Sequence, residues 1–366
     1  MQLRLLYAVC GLKPVHEGSR RFALRAFRAF SDCAADSREP LKQWSLTVSP
    51  FIKISCHLHC NVSIRPLDPH AFPGSDRALI SLHGHGGGKL DGFQVHYDDQ
   101  RKELKVEADQ DITDLSVELA TPIKSDLHVV TKGKGSVKIQ NMESDVCQIQ
   151  TEKGDCVLQS VKSHIVKVHS SGGSITGVGT IHGEVDIVTA GDSSIDIKKI
   201  QGTSMNVCTE HGPLKVKAVY AESSVLDSSS GKIHVGHAHG ETLVRSNTGD
   251  IVIDSSSGAL TAFTNAGSIN AYVSQTGRAE LHTQQGAIHV RIPSTLKAWV
   301  QLCGTTVDSS SDVTQETEQQ SAEGKTVLTG RLNGGTQEDC WIRATADRGA
   351  VSLNIQSWIE TLKLKS

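Results

Sequence analysis

Three histidines lie close together in the segment SSSGKIHVGHAHG, which spans residues 228–240. His234, His237 and His239 alternate with small residues, and imidazole nitrogen is a common ligand of zinc, copper and nickel. The segment therefore raises two hypotheses. It is either a metal site or one turn of a structure that repeats.

A second candidate for metal chemistry is the segment SCHLHC, residues 55–60. In an extended strand, Cys56 and Cys60 would share one face but lie ~13 Å apart, at a rise of ~3.3 Å per residue. One zinc ion with bonds of ~2.3 Å could not reach both thiolates without a bend in the chain. His57 and His59 share the opposite face, and no third or fourth ligand is evident. We therefore predict no metal site here.

The glycine-rich segment SLHGHGGGKLDG, residues 81–92, could in principle hold a phosphate. It lacks the glycine–lysine spacing of a P-loop, and no dinucleotide-binding βαβ unit follows it. The segment is more typical of a flexible hairpin loop.

A repeat explains the histidine segment better than a metal does. Glycines followed by alternating apolar residues recur at steps of 19, 19, 18, 21, 19, 18, 18 and 19 residues. They are Gly135, Gly154, Gly173, Gly191, Gly212, Gly231, Gly249, Gly267 and Gly286. The one long step contains GDSSIDI, which we interpret as a two-residue insertion before Ile195. A period this regular is typical of a solenoid.

Each unit reads as an apolar residue, a serine or threonine, the glycine and then two alternating apolar positions. Such alternation predicts strands with one buried face, and the glycine predicts a corner with positive φ. The hydroxyl column is expected to hydrogen-bond from coil to coil. We predict an all-β, right-handed parallel β-solenoid of about eight coils with ~19-residue repeats.

This register also places the histidines. Ile233 and Val235 face inward, so His234 faces outward in a column with Lys215 and Val252. Because neighbouring coils supply no histidine column, we predict solvent-facing histidines at a turn and no metal ion.

The remainder of the chain is predicted to cap and lead into the solenoid. Residues 1–43 form a leader, 44–125 an N-terminal antiparallel β cap and 126–292 the solenoid repeats. Residues 293–366 form a C-terminal β cap, with a polar loop at 308–324 and a short terminal helix.

Composition excludes several classes of protein. Only 4% of the 366 residues are aromatic, and the net charge of −3 gives no basic footprint for nucleic acid. No apolar run reaches the ~18 residues of a transmembrane segment. The nine cysteines are irregularly spaced, which favours reduced thiols.

The first thirty residues have a different charge balance. They hold six basic residues and one acidic residue, for a net charge of +5, so the rest of the chain, at −3 in total, carries −8. An arginine-rich, acid-poor N-terminus predicts a mitochondrial transit peptide, cut near RAFS at residues 28–31. The alternative is a basic tail on a cytoplasmic protein.

The segment VELATPIKSDLHVVTKGKGSVKI, residues 117–139, resembles the "putative adhesin" domain family of β-solenoids. The resemblance extends from about residue 44 to the end of the chain. It implies a β-solenoid with no established reaction, no cofactor and no catalytic residues to transfer.

We therefore predict a non-catalytic protein-interaction or scaffolding module with an unknown protein partner. No catalytic, cofactor-binding or metal-ligating residue is assigned. The outward residues Lys215, Lys217, His234 and Arg245 are expected to form one mixed polar face. The alternative is a carbohydrate-active or other enzyme on a parallel β-helix, although the outward column shows no ladder of carboxylates. That column comprises Lys138, Val157, Thr176, Lys215, His234, Val252, Asn270 and His289.

Overall fold

The computed structural model describes residues 39–356, apart from the segments 85–91, 109–114, 275–276, 310–312, 321–323 and 337–339. The predicted transit peptide and terminal helix lie outside the described residues, as does most of the glycine-rich segment that follows residue 84. No helix in the described part of the chain has the length and apolarity needed to cross a bilayer.

The elements of the described chain are β-strands throughout. The N-terminal strands are β1 (Lys42–Thr47), β2 (Lys53–Leu58), β3 (Asn61–Pro66), β4 (Arg77–Gly84), β5 (Phe93–Asp98), β6 (Glu103–Ala108) and β7 (Leu115–Thr121). The central strands are β8 (Asp126–Thr131), β9 (Val137–Gln140), β10 (Glu143–Thr151), β11 (Cys156–Gln159), β12 (Val161–Ser170), β13 (Ile175–Thr189), β14 (Ile195–Thr209), β15 (Leu214–Ser228), β16 (Ile233–Ser246), β17 (Ile251–Ser257), β18 (Leu260–Ala266), β19 (Ile269–Val273), β20 (Arg278–Gln285) and β21 (Ile288–Ile292). The C-terminal strands are β22 (Ala298–Gly304), β23 (Val307–Ser309), β24 (Val313–Gln320), β25 (Thr326–Leu332), β26 (Trp341–Ala346) and β27 (Val351–Ile355).

The central strands stack as a parallel β-solenoid, which confirms the predicted fold. A first ladder runs through β8, β10, β12 and on to β18 and β20, and a second runs through β9, β11 and on to β19 and β21. Strands β13 to β16 are long enough to bend and take part in both ladders. Between the ladders, these strands form a third face, where Gln201, Tyr220, His239 and Ser257 stand in register.

Alternation along each strand fills the interior with apolar side chains. Ile251 and Ile253 are fully buried, whereas Val252 between them is only partly buried. The same pattern recurs in each central coil, so one contiguous apolar cluster runs through the stack. Burial of this kind is the main favourable term in folding.

The corner glycines serve a different purpose from the one predicted. Most members of the column have a negative φ, and positive φ occurs only at Gly191. A Cβ on Gly173 or Gly249 would instead lie closer than 3.0 Å to the carbonyl oxygen of the preceding coil's glycine. Glycine is required there because the coils approach so closely. Gly212 stacks on Ser193, so the two-residue insertion puts Ser193, and not Gly191, in the column.

The hydroxyl column also differs from the prediction in its hydrogen bonds. Its members are buried, but those that form hydrogen bonds do so with glycine backbone rather than with another hydroxyl, and Thr151 Oγ1 has no partner. The amides of Gly231 and Gly249 each donate to the serine Oγ three residues earlier, at 2.8 Å. Thr283 instead donates to the carbonyl of Gly267 in the preceding coil, at 2.9 Å. These bonds satisfy corner groups that would otherwise be buried without partners.

The N-terminal region is more solenoid-like than the predicted antiparallel cap. Strands β2 and β3 form a coil that pairs in parallel with β8–β9 on one side and with β6–β7 on the other. Only β1, β4 and β5 are antiparallel, and they cover the edge of the β6–β7 coil. The β6–β7 coil therefore lies farther from the central strands than the β2–β3 coil does, although it comes later in the chain.

The C-terminal region repeats this inversion. The coil formed by β26 and β27 lies between the β20–β21 coil and the β22–β23 coil, with parallel pairing on both sides. Strands β25 and β24 then close the end in antiparallel pairing. The segment predicted as a polar loop, 308–324, thus contains the end of β23 and all of β24.

Candidate interaction surfaces

The three histidines of the opening segment do not converge on one point. His234 lies on the second ladder, where its Nε2 is 3.1 Å from Asp254 Oδ2. His237 and His239 lie on the third face. The His239 ring stacks on Tyr220 at 4.5 Å between centroids, and its Nδ1 is 2.6 Å from Ser257 Oγ. Within the described ranges, no group of three or more potential ligands could hold a metal ion.

The segment SCHLHC bends between β2 and β3, so the separation expected for a straight strand does not apply. Cys56 and Cys60 both face the interior and are buried. Burial raises the pKa of Cys56 to about 12 and that of Cys60 to about 11. Thiols with such pKa values stay protonated near neutral pH and are poor nucleophiles.

The histidines of that segment line a shallow hollow of about 240 Å³. His57 Nδ1 is 3.8 Å from Glu107 Oε1, and the His57 ring meets the His128 ring edge to face at 5.7 Å. This arrangement is a histidine–carboxylate contact and an aromatic contact between adjacent strands, both at a largely solvated position.

The predicted mixed polar face is divided between two ladders. Lys215 and His234 are in register on the second ladder, as expected. Arg245 instead lies on the first ladder, where its Nε is 3.2 Å from Asp227 Oδ2. The division arises because the bends within β15 and β16 turn the chain from one ladder to the other.

The outward column of the second ladder contains one acidic residue that the column predicted from the glycine spacing left out. Asp196 stands between Thr176 and Lys215, and its Oδ2 lies 3.7 Å from Lys215 Nζ. It was missed because the column was counted from Gly191, two residues before the true corner. A single paired carboxylate still does not form a ladder of the kind a polysaccharide-cleaving site needs.

A groove runs along the first ladder. Its volume is about 430 Å³, and it crosses five successive coils. It is lined by Ser223, Ser224, Val225, Glu241, Thr242, Leu243, Ala259, Leu260, Thr261, Arg278, Glu280 and Trp341.

The groove exists because small residues stand beside large ones in the same outward columns. Ser223 and Ala259 leave space on coils whose neighbours carry longer side chains. Trp341 closes one end, and the guanidinium of Arg343 lies 5.4 Å from the centroid of its ring. Sequence reasoning missed the groove because Trp341 enters it from the inserted C-terminal coil.

The composition of the groove matches that of a protein–protein contact surface. Val225 and Leu243 contribute partly buried aliphatic side chains on its first two coils, and Arg278 and Glu280 are exposed on the fourth. Aliphatic side chains accompanied by an aromatic residue and an arginine are typical of interfaces between proteins.

One family model matches a segment of the chain. Residues 181–339 match the family model described as Toastrack DUF4097. The matched segment begins within β13 and ends just before β26, so it includes most of the groove and of the third face.

Solved bacterial structures are similar to this chain at low sequence identity. A protein from Parabacteroides merdae, described as a "putative adhesin", is 12% identical, with 69% of this chain and 89% of that chain covered and a TM-score of 0.34. A "putative lipid binding protein" from Parabacteroides distasonis is 12% identical, with 86% and 96% covered and a TM-score of 0.33. A "putative adhesin" from Bacteroides fragilis is also 12% identical, with 86% and 96% covered and a TM-score of 0.26.

Proposed function

We propose that this chain is a non-catalytic protein-interaction module that works in mitochondria. The observation that supports it most directly is the groove across the first ladder, with Val225 and Leu243 toward one end and Trp341 at the other. The interior of the solenoid is filled by apolar and hydroxyl side chains. Only side chains on the outward surface are therefore available to contact a partner. A partner segment lying in the groove would contact several coils at once.

Site-specific photocrosslinking tests this function. A photoreactive phenylalanine analogue replaces Thr261, which is exposed in the groove, and in a matched protein it replaces Glu152, which is exposed at a distant corner. The proposal expects a crosslinked protein partner from position 261 and none from position 152. Equal crosslinking from both positions, or none from position 261, would count against it.

The mitochondrial part of the proposal is supported by the +5 charge of residues 1–30. Import is expected to remove residues up to about Phe30. N-terminal sequencing of the endogenous protein checks this, and intact Met1 in a cytosolic fraction would contradict it.

We also propose, from two stretches of the sequence, that this chain is related to one particular vertebrate protein. The stretches QIQTEKGDCVLQSVKS, residues 148–163, and DIVIDSSSG, residues 250–258, are similar to a vertebrate protein described as family with sequence similarity 185 member A. That kinship agrees with the proposed compartment and implies no reaction.

The enzyme alternative has one testable feature. Glu241 and Glu280 both line the groove, but they belong to β16 and β20, which are separated by β18. If the chain cleaved a saccharide, these carboxylates would be the groups to supply acid and base. Turnover by the purified protein that is abolished by Glu241→Gln or Glu280→Gln would replace the proposed function with that alternative.

A further inference from the structure

Three lysines and two histidines lie together on the third face and its border with the second ladder. Lys198 and Lys217 are exposed on adjacent coils, each directly after the registered pair Ile197 and Val216. Lys199, His237 and His239 lie beside them on the third face. We call these five residues, Lys198, Lys199, Lys217, His237 and His239, the basic face.

The lysines of the basic face have no acidic partner within 4.0 Å anywhere in the described ranges. Some other lysines of the described chain do have one, as when Lys53 pairs with Glu103 and Lys325 with Asp347. Like charges on neighbouring strands repel one another and cost stability. An anion bound between them would remove that cost, which gives the surface an intrinsic preference for negative ligands.

Tyr220 holds part of the basic face in a fixed geometry. Lys199 Nζ lies 4.9 Å from the centroid of the Tyr220 ring, and the His239 ring stacks on the same tyrosine at an interplanar angle of 11°. Ser257 Oγ in turn fixes His239 Nδ1. A surface that is ordered before binding loses less entropy when a ligand arrives.

Carboxylates border the basic face on both sides. On the side toward the first ladder stand the exposed residues Glu184, Glu222 and Glu241. On the second ladder, Asp196 and Asp254 are paired with Lys215 and His234. The positive surface is therefore a narrow strip, and a broad anionic sheet such as a membrane would bring its charges against these carboxylates. A narrow anionic chain would not.

We infer that the basic face binds an acidic, aspartate- or glutamate-rich segment of a partner protein. The inference rests on the proposed function, because it names the chemistry of one partner. The segment lies along the strip and places carboxylates between Lys198, Lys199 and Lys217. The site is separate from the groove, which lies on the first ladder.

The test uses the purified full chain and a fluorescent oligoglutamate peptide, with oligoglutamine as the neutral control. The triple variant Lys198→Glu, Lys199→Glu, Lys217→Glu removes the site. A matched variant reverses Lys134, Lys138 and Lys153, which are exposed on coils nearer the N-terminus, and so makes the same change in net charge. Vesicles of equal parts phosphatidylcholine and phosphatidylserine provide a membrane for comparison.

Oligoglutamate is expected to bind in a salt-dependent manner and oligoglutamine not to bind. The affinity of the basic-face variant for oligoglutamate should fall at least about tenfold, equivalent to ~1.4 kcal/mol. The matched variant should bind as the parent does. Equal losses in both variants, or no oligoglutamate binding, would overturn the inference. Vesicle binding that is lost only in the basic-face variant, with no peptide binding, would overturn it in favour of a membrane. None of these outcomes affects the crosslinking expected from position 261. A failure of oligoglutamate binding is therefore distinguishable from a failure of the proposed function.

Discussion

Gly249 lies so close above the carbonyl oxygen of Gly231 that a Cβ at position 249 would approach it to less than 3.0 Å. Gly249→Ala must therefore push two coils apart and disturb the ladders on both sides. We expect a loss of about 2–4 kcal/mol in the free energy of unfolding. Urea denaturation of the purified protein measures it.

Gly191 provides the matched control. Its φ is +65°, but a Cβ there would meet no atom within 4 Å. Asparagine tolerates this left-handed conformation, so Gly191→Asn should cost less than about 1 kcal/mol. If the two variants lost equal stability, close approach would not be the reason for glycine at position 249.

The register of the solenoid predicts that the same substitution destabilises the protein strongly at one residue and only slightly at the next. Ile251 is fully buried and Val252 faces outward. Ile251→Asp places a charge in the apolar interior and should cost at least about 3 kcal/mol, whereas Val252→Asp should cost well under ~1 kcal/mol. Comparable denaturation midpoints for the two proteins would show that the register is incorrect.

The solenoid could be predicted from the sequence because the same local pattern of residues recurs in each coil. A buried pair such as Ile251 and Ile253, with Gly249 before it, repeats often enough to fix both the fold and the register. The second corner follows the same spacing through Gly183, Gly202, Gly240 and Gly258, and was overlooked because Ala221 interrupts it. Here the signal was present in the sequence.

The insertion of the last coil left no such signal. Strand β26 pairs with β20 and β22, and parallel pairing between distant segments depends on contacts that no local pattern records. Trp341 thereby lines the groove next to Arg278, although the two are far apart in sequence. The basic face was missed in part for a related reason, because Lys199 and His237 share one face only once the strands have bent.

Asp347 links three strands at the inserted coil and gives a pH dependence. Its carboxylate contacts Lys325 Nζ and His282 Nε2, each at 3.1 Å. Burial alone would raise the pKa of Asp347, but the two hydrogen bonds outweigh it and hold the pKa below the ordinary value. The contribution to stability is therefore present above the unfolded pKa of ~3.9 and is lost as pH falls through the folded pKa.

Asp347→Asn should accordingly lower the free energy of unfolding at neutral pH by less than about 1 kcal/mol, because the side chain is partly solvated. The difference from the parent should shrink as the pH is lowered below ~3.9. Urea titrations at several pH values measure this. A difference that stayed constant down to the most acidic condition would contradict the assigned role.

The interior thiols should be chemically silent in the folded protein. Burial raises the pKa of Cys56 and of Cys147 to about 12, so little thiolate exists at pH 8. Cys303 is only partly buried. Alkylation followed by peptide mass mapping should modify Cys303 well before Cys56 or Cys147. Equal rates at the three sites would mean that the coils containing Cys56 and Cys147 open readily.

Proximity labelling in intact cells tests the central claim, that outward side chains of the solenoid hold a protein partner in mitochondria. The parent is compared with Leu243→Lys, which alters the lining of the groove, and with Val157→Lys, an equally outward apolar position on the second ladder. We predict a set of mitochondrial neighbours from which at least one protein is lost in Leu243→Lys and retained in Val157→Lys. Neighbours from another compartment, or an unchanged set in Leu243→Lys, would contradict the claim.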